Sequence, residues 1–195
     1  MSDITKNTTI ENIPEETPEQ AELDRLIDEG DYILKVKHLK KYFPVATDFF
    51  GRPTQYVRAV DDVTFGVKAG CTVGIVGESG CGKTTMGRTI LRLHSVTGGE
   101  VVFEGKDLAK LSNAEMRKLR PEIQMIFQDP MASLNERAKV DYIVSEGLMN
   151  VQKHLTKEER EAKVSKALSD VGLLPEFASR FPHEFSGGQR QRIGI

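Results

Sequence analysis

An α/β core with a helical subdomain appended is the fold class this sequence predicts, and three observations predict it. A β-branched run, Val73, Ile75 and Val76, leads into Gly77-Glu78-Ser79-Gly80-Cys81-Gly82-Lys83-Thr84, and apolar residues at roughly helical spacing follow it. The other strand-like runs all precede residue 128. From Val140 onward the periodicity is helical.

The order strand, glycine loop, helix is the context in which G-x-x-x-x-G-K-[ST] binds phosphate, and residues 77–84 fit that pattern without a mismatch. Gly77, Gly80 and Gly82 let the loop curl so that successive N–H groups point inward, where a Cβ would obstruct them. Glu78, Ser79 and Cys81 supply the backbone between them. A helix starting near Gly82 adds unpaired N–H groups and the positive end of its dipole. Lys83 is placed to reach β- and γ-phosphates and the Thr84 hydroxyl to ligate Mg²⁺, with Thr85 holding the helix start. The stretch implies binding of a nucleoside triphosphate.

The chain that carries this loop has 195 residues and a net charge of −2. Residues 1–31 hold ten acids and two bases, a net of −8; the rest holds 25 bases and 19 acids, a net of +6. So acidic a leader, with few apolar residues, buries too little surface to fold alone, and most of it is expected to stay unfolded. A short helix over residues 19–29 fits Ala21, Leu23, Leu26 and Ile27 as one apolar side. The positive charge on the body is spread out, without the basic block or aromatic platform that nucleic acid requires. No apolar run approaches the roughly 20 residues that span a bilayer, and the N-terminus lacks the apolar core of a secretory signal. Two cysteines, Cys71 and Cys81, make no disulfide framework and suit a reducing cytosol. Cys71 is expected in the core, at a strand start.

Tyr32 opens the folded part. The run YILKVKHL alternates as a half-buried strand, KKYFPVATDFF reads as a loop, and residues 55–60 and 63–67 read as two strands turning at Asp61-Asp62. His38, His94 and His154 stand apart and show no metal-ligand spacing. Beyond the phosphate-loop helix, Gly98-Gly99 breaks the chain and EVVFE gives a strand. Ser112 and Glu115 form a capping box that starts a short basic helix, stopped by Pro121. Residues 123–127 form another strand, ending at Gln128-Asp129-Pro130. Thr156 and Glu159 are a second capping box; Val164, Ala167, Leu168 and Val171 make a helical stripe that ends at Gly172.

Near the end stands Phe185-Ser186-Gly187-Gly188-Gln189. Ser186 and Gln189 are spaced as a third capping box, which by itself only starts a helix. Two glycines at a capped N-terminus also leave an anion site open. One nucleotide does not fill two such sites, so the second makes sense facing the nucleotide of a partner chain.

FSGGQ resembles the LSGGQ signature of ATP-binding-cassette (ABC) ATPases, with Phe185 in place of leucine. The resemblance runs from about residue 32 to 195. Within the family, VGESGCGKTT, IQMIFQDPMASLNER and RFPHEFSGGQRQR resemble oligopeptide and dipeptide importers, and the YFPV near the start resembles the second of their two ATPase subunits. Met131 and Glu136 depart from the residues usual at those loop positions. The resemblance implies a P-loop NTPase (RecA-like) core, an N-terminal antiparallel β subdomain and a helical subdomain over about 130–190. It implies ATP and Mg²⁺ as ligands. Gln128 matches the glutamine that contacts the metal or the attacking water and senses the membrane subunits; its amide offers donor and acceptor without net charge. Ser186, Gly187, Gly188 and Gln189 match the residues that close over the γ-phosphate held by the partner. Phe43 best matches the aromatic that stacks on adenine, with Tyr42 as the alternative by one position.

The implied function is the ATP-binding subunit of a peptide importer, peripheral on the cytoplasmic face of the cell membrane. Its implied partners are a second ATPase subunit packed head to tail, transmembrane permease subunits and, indirectly, a peptide-binding protein. Two other readings fit the motifs: an ABC ATPase without a transport role, and a non-catalytic nucleotide-binding regulator. Family members also carry, after the signature helix, an apolar strand ending in Asp-Glu and later a switch histidine. Neither occurs before Ile195, and His183 precedes the signature, so the sequence reads as truncated and not competent for hydrolysis alone.

Overall fold

The computed structural model describes residues 17–128, 134–152 and 154–195. The chain divides into two compact units, Met1–Arg120 and Pro121–Ile195. Each is built around its own elements.

The first unit opens with α1 (Pro18–Glu29), the part of the acidic leader that does fold. Thr17 caps it, accepting from the Gln20 N–H while the Gln20 side chain returns to the Thr17 backbone, and Pro18 sits at the first helical position. The apolar side expected from sequence is mostly in water: Leu23 and Leu26 are exposed and only Ile27 is buried. Polar contacts do much of the docking. His38 lies between two carboxylates, Asp24 of α1 at 2.6 Å and Asp62 at 2.7 Å, and the Gln20 amide donates to Asp62 at 3.1 Å. The Lys37 ammonium donates to Asp28 at 2.8 Å.

These partners stand on a long hairpin, β1 (Leu34–Thr47) and β2 (Pro53–Val67). The sheet runs β2-β1-β3-β4, antiparallel throughout, with β3 (Gly98–Phe103) and β4 (Lys106–Asp107). Two expectations change here. Residues 40–47, read as loop, continue β1; residues 55–67, read as two strands and a turn, belong to the one strand β2. Bulges explain both. His38 and Asp62 adopt positive φ (48° and 56°), and the register slips between Val36 and Leu39 and again before Lys41. A bulge breaks the alternation that marks a strand in sequence while leaving the pairing to resume beyond it.

Helix α2 (Lys83–Ile90) follows the phosphate loop, and α3 (Asn113–Leu119) starts on the Ser112–Glu115 capping box as expected. The Arg120 guanidinium donates to the Leu91 carbonyl at 2.6 Å, satisfying backbone just beyond the end of α2. The core of this unit includes Val36, Leu39, Val60, Met86, Val101, Leu108, Met116 and Leu119.

Residues 72–76 are not a strand, and their side chains are not buried; Val76 is 94% exposed. Cys71, expected in the core, is exposed as well. The same correction applies in the second unit to residues 123–127, where Ile126 and Phe127 are exposed. An apolar run becomes a buried strand only when neighbours supply its hydrogen bonds, and neither run is in a ladder among the described residues.

The second unit is helical: α4 (Val140–Val151), α5 (Lys157–Asp170), 3₁₀ turns at Pro175–Ser179 and Pro182–Glu184, and α6 (Gly187–Ile193). Its core is Val140, Val164, Leu168, Leu173, Phe185 and Ile193. Helix α5 starts on the Thr156–Glu159 box and ends at Gly172 (φ +70°), where the Leu173 N–H returns to the Leu168 carbonyl at 2.8 Å. That left-handed exit needs glycine.

Candidate functional site

The phosphate loop belongs to the first unit, and β2 fixes its helical end. Gly82 has φ +99°, and a Cβ there would lie 2.0 Å from the Ala59 carbonyl oxygen. Both the conformation and the contact demand glycine. No side chain caps α2, so the N–H groups of its first turn stay available to an anion. Gly80 also has positive φ (+84°), in open space. The Lys83 ammonium donates to the carbonyls of Gly77 and Glu78, each at 2.7 Å, and lies 3.6 Å from Cys81 Sγ. This holds a positive charge over the loop's own backbone. Thr84 is exposed and Thr85 half-buried on the first turn of α2. An uncapped helix start, an ammonium and an adjacent hydroxyl are a donor set that fits a polyphosphate with its divalent cation.

Of the two aromatics near the end of the three-stranded region, Phe43 faces the segment after α2. Its ring meets His94 edge to face at 5.5 Å, and Lys41 Nζ lies 4.8 Å from its centroid. Tyr42 points to the other side, donates its hydroxyl to Asp61 and lies under the Arg58 guanidinium. Burial, then the bond to Asp61, pushes the Tyr42 phenol up to about 12, so it remains a neutral donor. Of the pair, Phe43 lies on the side that meets the segment after α2.

The remaining predicted residues lie in the second unit. Ser186 caps α6: its Oγ accepts from the Gln189 N–H at 3.4 Å, and Gln189 Oε1 accepts from the Ser186 N–H at 2.9 Å. The Gln189 amide oxygen is therefore committed to the cap. Gly187 and Gly188 have no neighbour where a Cβ would go, and with Ser186 they are exposed. Phe185 is buried against Phe177, ring centroids 5.5 Å apart, which fixes where α6 begins. Gln128 is exposed. Asp129 to Ser133, the middle of the FQDP-x-ASLN run, lie outside the described residues.

Three features of these sites escaped the sequence. The wall behind Gly82 is a backbone carbonyl, and a carbonyl has no residue signature. His94 reaches Phe43 only through the fold. Glu136, a departure from the family's usual residue, pairs with Arg190 of α6 at 3.6 Å.

A loop of this geometry ahead of an uncapped helix defines a phosphate-binding nucleotide protein. Residues 60–195 match the family described as ABC transporter, and the chain belongs to that family. It is 52% identical over 164 residues to the oligopeptide transport ATP-binding protein AppF of Bacillus subtilis, covering 84% of this chain and 50% of that protein. It is 48% identical over 168 residues to the oligopeptide transport ATP-binding protein OppF of Haemophilus influenzae, covering 85% of this chain and 50% of the other. The chain thus spans about half the length of the curated relatives it matches. Among solved structures, the dimeric post-hydrolysis state of the ATP-binding cassette MJ0796 bound to ADP and Pi superposes with a TM-score of 0.70 at 27% identity, over 83% of this chain and 66% of that one. The α/β cassette fold expected from the sequence agrees with this likeness.

Proposed function

We propose that this chain is the nucleotide-binding part of an ATPase subunit that powers peptide uptake at the cytoplasmic face of a cell membrane. The observation that carries the reading is the phosphate loop: Gly82 locked against β2, α2 left uncapped and Lys83 turned over the loop. The relatives named as oligopeptide transport ATP-binding proteins support peptide as the cargo.

In this reading the N–H groups of residues 77–84 hold the phosphate oxygens of ATP and Lys83 neutralises the β- and γ-phosphates. Thr84 is the group of the first unit that would hold Mg²⁺, which when bound screens the charge that develops on the phosphates. Phe43 offers a ring to the adenine. Ser186, Gly187 and Gly188 present the capped but sterically open N-terminal end of α6 to the nucleotide of a second ATPase subunit, and the dimeric state of the solved cassette supports a second subunit. Permease subunits and a peptide-binding protein complete the assembly.

Lys83→Ala tests the reading. Titration with a fluorescent ATP analogue and Mg²⁺ should show affinity reduced about ten- to a hundredfold, the scale of charged hydrogen bonds to phosphate. The melting temperature without nucleotide should hold. Unchanged affinity would show that nucleotide binds elsewhere.

A further inference from the structure

The β1–β2 hairpin outruns the rest of its sheet. β3 pairs with β1 no further than Lys40, and the last hydrogen bond from that side is to the Thr97 hydroxyl, which accepts from the Tyr42 N–H at 3.0 Å. Beyond it, β1 and β2 continue as a two-stranded ribbon, with Phe43 opposite Val57 and Thr47 opposite Pro53. At strand rise the ribbon projects about 15 Å. From Pro44 to Arg58 every residue except Ala46 is exposed.

The end of this ribbon is built, not loose. Asp48 Oδ1 accepts from the N–H groups of Phe50 at 2.9 Å and Arg52 at 2.8 Å, and the Asp48 N–H donates to the Arg52 carbonyl at 2.8 Å. What this turn displays is two phenylalanines, Phe49 at 98% and Phe50 at 82% exposure, edge to face at 5.8 Å. Neither ring packs on the hairpin that carries it. Exposed rings on a braced turn at the far end of a projecting arm are an unpartnered contact surface.

We infer that this tip is a lipid-interface anchor, seating Phe49 and Phe50 among the headgroups of an anionic bilayer. Three observations select that occupant over a protein. The tip is convex, and a convex pair of rings fits a yielding interface without needing a matching pocket. Pro44 and Pro53 remove ladder donors near the tip, which blunts the ribbon against pairing with another strand. The charge suits a negative surface: Arg52 stands two residues beyond Phe50, and the one acid between Pro44 and Arg58, Asp48, has its carboxylate turned into the turn. Aromatic rings beside a basic residue are the composition that settles at a membrane–water boundary. The inference extends the proposed membrane setting and rests on it only for the presence of a bilayer. It uses no part of the phosphate loop.

The chain has no tryptophan, so Phe50→Trp places the only indole at the tip. On phosphatidylcholine–phosphatidylglycerol vesicles the emission of this variant should shift to the blue, less so on phosphatidylcholine alone, and salt should weaken the effect. Phe49→Ser with Phe50→Ser should lower co-sedimentation of the chain with the anionic vesicles by about tenfold or more, with the melting temperature unchanged. Emission that stays unshifted overturns the inference, even if the chain sediments, because the lipid contact then lies elsewhere. Emission that shifts on native membranes and not on protein-free vesicles assigns the tip to a protein pocket and equally overturns it. Nucleotide titration of the same variant should be unchanged, so failure here and failure of the ATP reading are separate results.

Discussion

Val36 in β1 and Val76 ahead of the phosphate loop both sit in runs that the sequence predicts as strands, yet Val36 is 0% exposed and Val76 94%. The difference lies in what each run can pair with. β1 finds β2 across one hairpin and β3 on its other side, both antiparallel. The hairpin partner comes from nearby chain and is cheap in loop entropy, and once it is paired β1 offers β3 a ready edge. A run buried on both faces in a parallel sheet depends on crossovers from distant chain, and residues 72–76 have no ladder among the described residues. A strand is therefore a property of a pair, and apolar, β-branched sequence is only one member of it. The phosphate loop between these regimes is held from its helical side alone: α2 and Gly82 against β2.

The largest expected effect breaks that anchorage. Gly82→Ala forces a Cβ onto the Ala59 carbonyl at a φ of +99°, and should cost about 3–4 kcal/mol in urea unfolding. Gly80→Ala, at φ +84° in open space, should cost only about 1–2 kcal/mol. Equal costs would mean that the contact with β2 does not fix the loop.

A smaller effect sharpens the comparison itself. Val36→Ala removes buried methyl groups and should destabilise by about 2 kcal/mol, whereas Val76→Ala should stay within about 0.5 kcal/mol. A substantial cost at Val76 would show that residues 72–76 are packed in solution. Differential scanning calorimetry on the two variants decides it.

The smallest effect concerns α1. The hydrogen bond to Asp62, and then that to Asp24, hold the His38 imidazole above its ordinary value of 6.5 although partial burial opposes them. A raised folded-state value means the stabilisation is full below pH 6.5 and is lost as pH rises through the folded-state value. Lys40, 3.9 Å from Asp62, opposes the charged ring weakly, while Lys37, held above its ordinary value by its bond to Asp28, stays charged over this range. Hydrogen exchange of the α1 amides should therefore speed up as pH rises beyond what intrinsic exchange accounts for, by less than about 1 kcal/mol. His38→Gln should flatten that dependence.

The sequence by itself determined the features that are local. Three capping boxes, at Ser112, Thr156 and Ser186, start helices where their spacing says they should, because a cap is made by residues three apart. The phosphate loop was legible for the same reason: glycine, lysine and threonine act within one turn of chain. Tertiary structure alone decided what depends on distant partners. It ran β1 and β2 through the bulges at His38 and Asp62, which erase alternation, and it bound α1 to the sheet through His38 rather than through Leu23 and Leu26. It put Phe43 beside His94 and turned Tyr42 toward Asp61, a choice between neighbours that no spacing makes. It also withheld burial from residues 72–76, because hydrogen bonds between strands belong to neighbours that a run of valine and isoleucine cannot specify.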